Sequence, residues 1–133
     1  MTSKVLYKGN LRTECIHLKS NSQICTDAPT DNNGKGESFS PTDLVATSLA
    51  SCMITVMGIK AAQSEIAFSE ISASVIKVMG TNPRRIVKIK IDIEVGETWT
   101  YREKKIMENT ANTCPITKSL HPDIVQDISF IYR

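Results

Sequence analysis

The chain has 133 residues, a formal net charge of +2 at pH 7, and an aromatic content of 5%. This length is enough for one domain with a hydrophobic core, so we expect a single domain over residues 1–133. The small net charge and the scarcity of aromatic residues argue against a nucleic-acid partner and against binding to an acidic membrane surface.

The first part of the chain is predicted to be β structure. Three short strands separated by turn residues are expected at Val5 to Lys8, Leu11 to Leu18 and Ser22 to Thr26. The opening residues continue directly into the first strand without a signal peptide, which predicts a cytoplasmic protein. In the second strand Arg12 and Glu14 share one face, because successive side chains of a strand alternate.

A loop of glycine, proline and polar residues, 27–39, leads to the longest predicted helix. Such a loop is either functional or a plain surface connection, and the sequence favours neither. The helix is expected over Ser40 to Ala62, with Ser40 as cap and Asp43 closing a capping box. No charged residue occurs from Leu44 to Ile59, which is typical of a buried helix. We expect it to be too short and too rich in Thr and Ser to cross a membrane.

The second half of the chain returns to β structure before two further helices. Strands are expected at Glu70 to Met79 and Val87 to Val95, helices at Tyr101 to about Asn112 and Ile116 to Leu120, and a last strand at Gln126 to Tyr132. The order βββ-α-ββ-α-α-β predicts an α+β fold with mainly antiparallel sheet around the long helix. One small sheet covers only one side of an uncharged helix, so we expect a homodimer that covers the other side.

Four cysteines, Cys15, Cys25, Cys52 and Cys114, lie far apart and form no C-x-x-C pair. This spacing argues against a zinc ribbon, a thioredoxin motif and a disulfide framework. Cys15 and Cys25 fall in predicted strands, which indicates a structural role. For Cys52 and Cys114 two interpretations stay open, a buried apolar thiol and a redox-active thiol. Burial alone would keep Cys52 protonated, so a reactive Cys52 needs a nearby cation, whereas Cys114 precedes a helix whose first N–H groups favour a thiolate.

Two segments, FSPTDLVATSLASCM and TCPITKSLHPDI, together with the early GNLRTE, resemble the OsmC/Ohr family over essentially the whole chain. The likeness is greater to the OsmC-like branch than to the organic hydroperoxide resistance enzymes. The resemblance implies an OsmC-like intertwined α+β dimer with two long helices at its centre and active sites at the subunit interface.

The resemblance further implies a thiol-dependent peroxidase that reduces organic hydroperoxides. Cys52 stands at the position of the peroxidatic cysteine, Cys114 at that of the resolving cysteine, and Arg12 at that of the arginine that stabilises the thiolate. The implied cycle passes through a Cys52 sulfenic acid and a Cys52–Cys114 disulfide, which an external dithiol reduces. No metal, flavin or haem is expected. An apolar substrate pocket is expected to be lined by Leu49, Met53, Ile116 and Leu120.

One position departs from the pattern of the family's peroxidases, which hold the arginine with a glutamate directly after the helix-opening proline. This chain has Thr42 there, followed by Asp43, which the capping box already uses. Glu14 or Glu37 could pair with Arg12 instead. The departure is the best support for one alternative, a non-catalytic, stress-associated binding dimer. A redox sensor or dithiol transferase that uses the same cysteine pair is a third possibility.

Overall fold

The computed structural model describes all 133 residues, which divide into two compact units, Met1–Val45 and Ala46–Arg133. The expected single domain over residues 1–133 stays a prediction. In chain order the elements are β1 (Ser3–Gly9), β2 (Arg12–His17), β3 (Gln23–Asp27), a 3-10 turn (Thr30–Asn32), α1 (Pro41–Ser64), β4 (Ile71–Gly80), β5 (Arg85–Val95), α2 (Tyr101–Ala111), α3 (Pro115–Ser119) and β6 (Val125–Tyr132). The predicted α+β order is confirmed, with element ends that differ by a few residues.

The N-terminal unit contains a three-stranded antiparallel sheet in the order β1-β2-β3. Within it Cys15 lies between Val5 and Ile24, while Glu14 lies between Leu6 and Cys25. These two rows belong to opposite faces of the sheet, because side chains alternate along each strand. Most side chains of β1 are exposed, so this sheet has no hydrophobic core of its own.

The C-terminal unit contains a second three-stranded sheet in the order β4-β5-β6. β5 pairs antiparallel with β4 and parallel with β6. The expectation of mainly antiparallel sheet is confirmed, because three of the four strand pairs are antiparallel. The β5–β6 pair is the exception: α2 and α3 lie between these strands, and such a helical connection lets the second strand start again at the same end of the sheet. The predicted alternation in β5 is confirmed, and the fully buried side chains of this face are Ile89, Ile91, Ile93 and Val95.

The long helix α1 buries one stripe of side chains in the core of the C-terminal unit. The stripe has a spacing of three or four residues and consists of Ala46, Leu49, Ala50, Met53, Met57 and Ala61. Other large apolar side chains of α1 are exposed, such as Val45 at 39% and Ile59 at 55%. The uncharged helix is therefore covered on one side within a single chain.

The expectation that α1 is too short to span a membrane is wrong. Its 24 residues extend about 36 Å, and by length and composition alone it could cross a bilayer. Core helices of water-soluble proteins pass the same test. The buried stripe of α1 is what such a core helix shows, and the absence of a membrane partner stays a prediction.

Side-chain caps set the starts of all three helices. Ser40 and Asp43 form a reciprocal capping box at α1, with bonds of 3.0 and 3.1 Å, and Thr100 and Glu103 form another at α2. Both boxes were predicted and are confirmed. Cys114 is the N-cap residue of α3 and Pro115 is its first residue, as the Cys-Pro sequence predicted. The cap fixes the Cys114 sulfur at the start of α3.

Candidate active site

Two of the four cysteines meet in the C-terminal unit. Cys52 lies in the middle of α1, half-buried against the hydrophobic core, and Cys114 caps α3 with 1% of its surface exposed. The thiol of Cys114 is a hydrogen-bond partner of the Cys52 sulfur. The fold thus brings together the two cysteines that the sequence singled out, although 61 positions separate them in the chain.

The surroundings of Cys52 oppose its ionisation. Burial raises the pKa of the Cys52 thiol, and the neighbouring Cys114 raises it further, while the backbone N–H of Ile116 acts in the opposite direction. The net pKa shift is upward. The groups of this unit therefore favour the protonated thiol at neutral pH, and a thiolate needs a positive charge in addition.

The N–H of Ile116 is a contact that sequence reasoning missed. The sequence indicated only that a reactive Cys52 needs a nearby cation. The donor comes instead from the first turn of α3, more than 60 residues later. No local pattern in the sequence shows which helix end meets the middle of α1.

The Cys114 sulfur has two hydrogen-bond partners, both in Thr117. The Thr117 backbone N–H donates to Sγ at 3.4 Å, and the Thr117 hydroxyl lies 3.3 Å from the same sulfur. The Gln126 side-chain amide donates to the carbonyl of Thr117 at 3.2 Å and ties this turn to β6. Thr117 is absent from the site predicted from sequence.

Arg12 is held in the N-terminal unit by a buried carboxylate. Its Nε donates to Asp27 Oδ1 at 2.7 Å and its Nη2 to Asp27 Oδ2 at 2.8 Å, which is a bidentate ion pair. The backbone N–H of Glu37 also donates to Asp27 Oδ2, and the Glu37 carboxylate lies 3.6 Å from Arg12 Nη2. Hydrogen bonding from Arg12 holds the pKa of Asp27 below its ordinary value of 3.8.

The carboxylate partner of Arg12 corrects the set of candidates offered by the sequence. Asp27, at 2% exposure, was not among them, although it lies directly opposite Arg12 in the register of β2 and β3. Of the candidates, Glu37 is a second, longer-range partner, and Glu14 lies opposite Cys25. The predicted third strand ended at Thr26. Had it included Asp27, the sequence would have indicated Asp27 as a candidate partner of Arg12.

The remaining predicted residues at the start of α1 have local roles. Asp43 closes the capping box with Ser40, and the Thr42 hydroxyl lies 3.2 Å from the Ser40 hydroxyl. Arg12 belongs to the N-terminal unit and Cys52 to the C-terminal unit, and their contact stays a prediction.

The four residues expected to line an apolar pocket differ in burial. Leu49 and Met53 are fully buried in the core, whereas Ile116 and Leu120 are half-buried against it. A substrate pocket formed by these four stays a prediction. No group of three or more His, Cys, Asp or Glu side chains is placed to hold a metal ion. The expectation that no cofactor is needed stays a prediction as well.

The two strand cysteines do not face each other. Cys15 is half-buried and pairs in register with Ile24, and Cys25 is exposed on the opposite face of the sheet. A disulfide between them would need the sheet to rearrange. Their expected structural role stays a prediction.

Comparison with known proteins gives consistent matches to one family. The family model described as OsmC-like protein matches residues 34–129. A proposed osmotic stress induced and detoxification response protein from Psychrobacter arcticus is 55% identical, with 98% of this chain and 95% of that chain covered and a TM-score of 0.94. No functionally curated protein matches the sequence.

More distant solved structures share the fold. An organic hydroperoxide resistance protein OsmC from Legionella pneumophila is 15% identical, with 98% of this chain and 97% of that chain covered and a TM-score of 0.73. An organic hydroperoxide resistance protein from Elizabethkingia anophelis is 12% identical, with 100% and 97% covered and a TM-score of 0.77. At these identities the likeness concerns the fold alone.

The Arg12–Asp27 ion pair is expected to make the free energy of unfolding fall as the pH is lowered. Because the pKa of Asp27 is lowered in the folded state, its stabilising effect is present above the ordinary value of 3.8 and is lost as pH falls through the lower folded value. Asp27→Asn should therefore be less stable than the wild type at neutral pH, and the difference should shrink in acid. Urea unfolding across the acidic range measures this. Glu14→Gln is the matched control, and an equal loss in both variants would contradict the assignment.

Proposed function

The chain belongs to the OsmC-like protein family, and from this premise we propose that it is a thiol-dependent peroxidase that reduces organic hydroperoxides. The observation that carries the proposal is the contact between a half-buried Cys52 and a buried Cys114. A thiol that can be oxidised next to a second thiol that can condense with it is the arrangement a two-cysteine peroxidase needs.

The proposed oxidation has two steps. The Cys52 thiolate attacks the distal oxygen of the hydroperoxide, the O–O bond breaks, and the alcohol leaves after taking up a proton, which converts Cys52 to a sulfenic acid. The Cys114 sulfur then attacks the Cys52 sulfur, the S–O bond breaks, and water leaves as the disulfide forms. An external dithiol supplies the two electrons that restore both thiols. The reducing cytoplasm expected from the sequence would contain such donors.

Arg12 is proposed as the cation that the Cys52 thiolate requires. The bidentate pair with Asp27 uses Nε and Nη2, which leaves Nη1 of the guanidinium for another anion. Arg12 remains 40% exposed beside its buried partner, so the orientation of its guanidinium is fixed while its charge stays accessible. Asp27 would then serve in place of the glutamate that the family's peroxidases carry after the helix-opening proline. This pairing supports a catalytic protein over the non-catalytic binding dimer, although Thr42 still stands where the glutamate is expected.

A redox sensor is the second candidate, and one observation favours it. The raised pKa of the Cys52 thiol slows oxidation unless a cation is present, and a slowly oxidised thiol pair can report oxidation without turning over substrate. Repeated consumption of hydroperoxide in the presence of a small dithiol separates the two candidates. A single oxidation without turnover would favour the sensor.

A homodimer is proposed as the working assembly. Val5, Tyr7 and Ile24 lie on one face of the N-terminal sheet, and each is at least half exposed. Ile59 of α1 is exposed as well. An apolar sheet face and an apolar helix side without cover are unfavourable in water, and a second copy of the chain can bury both.

The cysteine roles predict distinct products for two variants. Cys52→Ser should abolish hydroperoxide consumption, because it removes the nucleophile. Cys114→Ser should still form the sulfenic acid at Cys52 but no intramolecular disulfide. Mass spectrometry after one equivalent of organic hydroperoxide, with a sulfenic-acid trap, measures both products. A Cys15–Cys25 disulfide in the wild type would refute the assignment.

The cation role of Arg12 predicts a change in both titration and rate. Arg12→Ala should raise the pKa of the Cys52 thiol further and lower the rate at neutral pH about tenfold, with partial recovery in alkali. Thiolate absorbance against pH, in a variant that retains only Cys52, measures the titration. Arg102→Ala is the matched control, since Arg102 is an exposed arginine of α2. An unchanged titration and rate in Arg12→Ala would exclude the role.

The proposed assembly predicts a mass near twice 14.7 kDa in analytical ultracentrifugation. Dilution should not produce a folded monomer, because the monomer exposes the apolar positions that the dimer covers. Ile59→Glu should weaken association, since it places a charge on the exposed side of α1. Glu65→Lys, an exposed change just beyond the end of α1, is the control. A stable and active monomer would contradict the proposal.

A further inference from the structure

The two sulfurs of the cysteine pair have unequal surroundings. Cys114 is buried at 1% exposure and lies next to two groups of Thr117, the backbone N–H at 3.4 Å and the hydroxyl at 3.3 Å. Cys52 is half-buried. The Cys114 sulfur is thus inaccessible and hydrogen-bonded to Thr117, and the Cys52 sulfur is more accessible.

Thiol–disulfide exchange depends on both of these properties. The attacking thiolate must reach the sulfur in line with the S–S bond, and the sulfur that leaves must carry the negative charge. A hydroxyl donates a stronger hydrogen bond to a charged acceptor than to a neutral one. The Thr117 hydroxyl therefore stabilises Cys114 most when its sulfur leaves as a thiolate.

We propose that the external dithiol attacks the Cys52 sulfur of the disulfide and that Cys114 leaves as a thiolate, with the Thr117 hydroxyl as the catalytic donor to the leaving sulfur. This inference rests on the proposed function, since it concerns the reductive half of the same cycle. The accessibility of Cys52 supports the same direction of attack, because a hydroperoxide that oxidises Cys52 also needs a path to its sulfur.

The reduction takes place in two thiol–disulfide exchange reactions. A thiolate of the dithiol forms a bond to Cys52 Sγ, the Cys52–Cys114 bond breaks, and its electron pair goes to Cys114 Sγ. The second thiol of the dithiol, as a thiolate, then attacks its own sulfur in the mixed disulfide and releases the Cys52 thiolate. The dithiol is oxidised to a cyclic disulfide, and the protein disulfide is reduced to two thiols with protons taken up from solvent.

The site of attack can be read directly from a trapped intermediate. A protein with Cys15 and Cys25 replaced by Ser is oxidised with diamide, treated briefly with 2-mercaptoethanol, and quenched with acid and then N-ethylmaleimide. Peptide mass spectrometry should find the mercaptoethanol adduct on Cys52 and the maleimide on Cys114. An adduct on Cys114, or an equal distribution, would overturn the proposal. Failure to form the Cys52–Cys114 disulfide with diamide would overturn it as well.

The role of the hydroxyl is tested by Thr117→Val, which keeps the backbone N–H and nearly the same volume. Reduction of the oxidised protein by dithiothreitol should slow roughly fivefold, which is part of the effect of one hydrogen bond to a charged group. The fraction of adduct on Cys114 should also rise. Thr117→Ser should restore the rate, because it restores the hydroxyl.

The matched control is Thr110→Val, which removes the hydroxyl of a partly buried threonine that donates to the Ile106 carbonyl at 2.8 Å. Equal slowing in Thr110→Val and Thr117→Val, or no rescue by Thr117→Ser, would overturn the assignment of Thr117. Diamide forms the disulfide without any peroxide, so this test can succeed or fail regardless of whether the protein turns over hydroperoxides.

Discussion

The resistance of a buried thiol to ionisation is the constraint on which the rest of the site depends. Cys52 lies against the hydrophobic core, so its charged form loses hydration that no other group in α1 replaces. The N–H of Ile116 offsets part of this cost, and the neighbouring Cys114 adds to it. A reactive sulfur at this position therefore requires a cation from outside α1. The proposed role of Arg12 answers that requirement.

A carboxylate that binds the Arg12 guanidinium has two opposite effects on a nearby thiolate. The closer the carboxylate, the better it fixes the guanidinium, but the more it reduces the positive potential that a thiolate would experience. Asp27 limits this loss by binding only one edge of the guanidinium fork, while a backbone N–H from Glu37 shares its charge. In the proposed peroxidase, a strand residue would thus take the place of the helix glutamate that the family resemblance implies.

The proposed dimer and the proposed chemistry rest on related features of the sequence. The uncharged side of α1 is unfavourable in a lone chain, and the sheet of the N-terminal unit has no core of its own. Covering the exposed side of α1 with a second copy would also remove water from the surroundings of Cys52, which lies on the same helix. Dry surroundings make the field of a single guanidinium stronger than it is in water. Assembly and thiolate stabilisation would then depend on the same apolar surface.

The sequence by itself determined the local structure of this protein. Both capping boxes, the Cys-Pro start of α3 and the alternation in β5 follow from neighbouring residues, because caps and side-chain periodicity depend on short spacings in the chain. It also identified Cys52 and Cys114 as the pair of interest. Tertiary structure decided which groups meet: the parallel β6, the pairing of Arg12 with Asp27, and the donors Ile116 and Thr117 at the two sulfurs. Such contacts depend on strand register and on which helix end packs against the middle of another helix. Both are set by packing between residues far apart in the sequence, which no local pattern encodes.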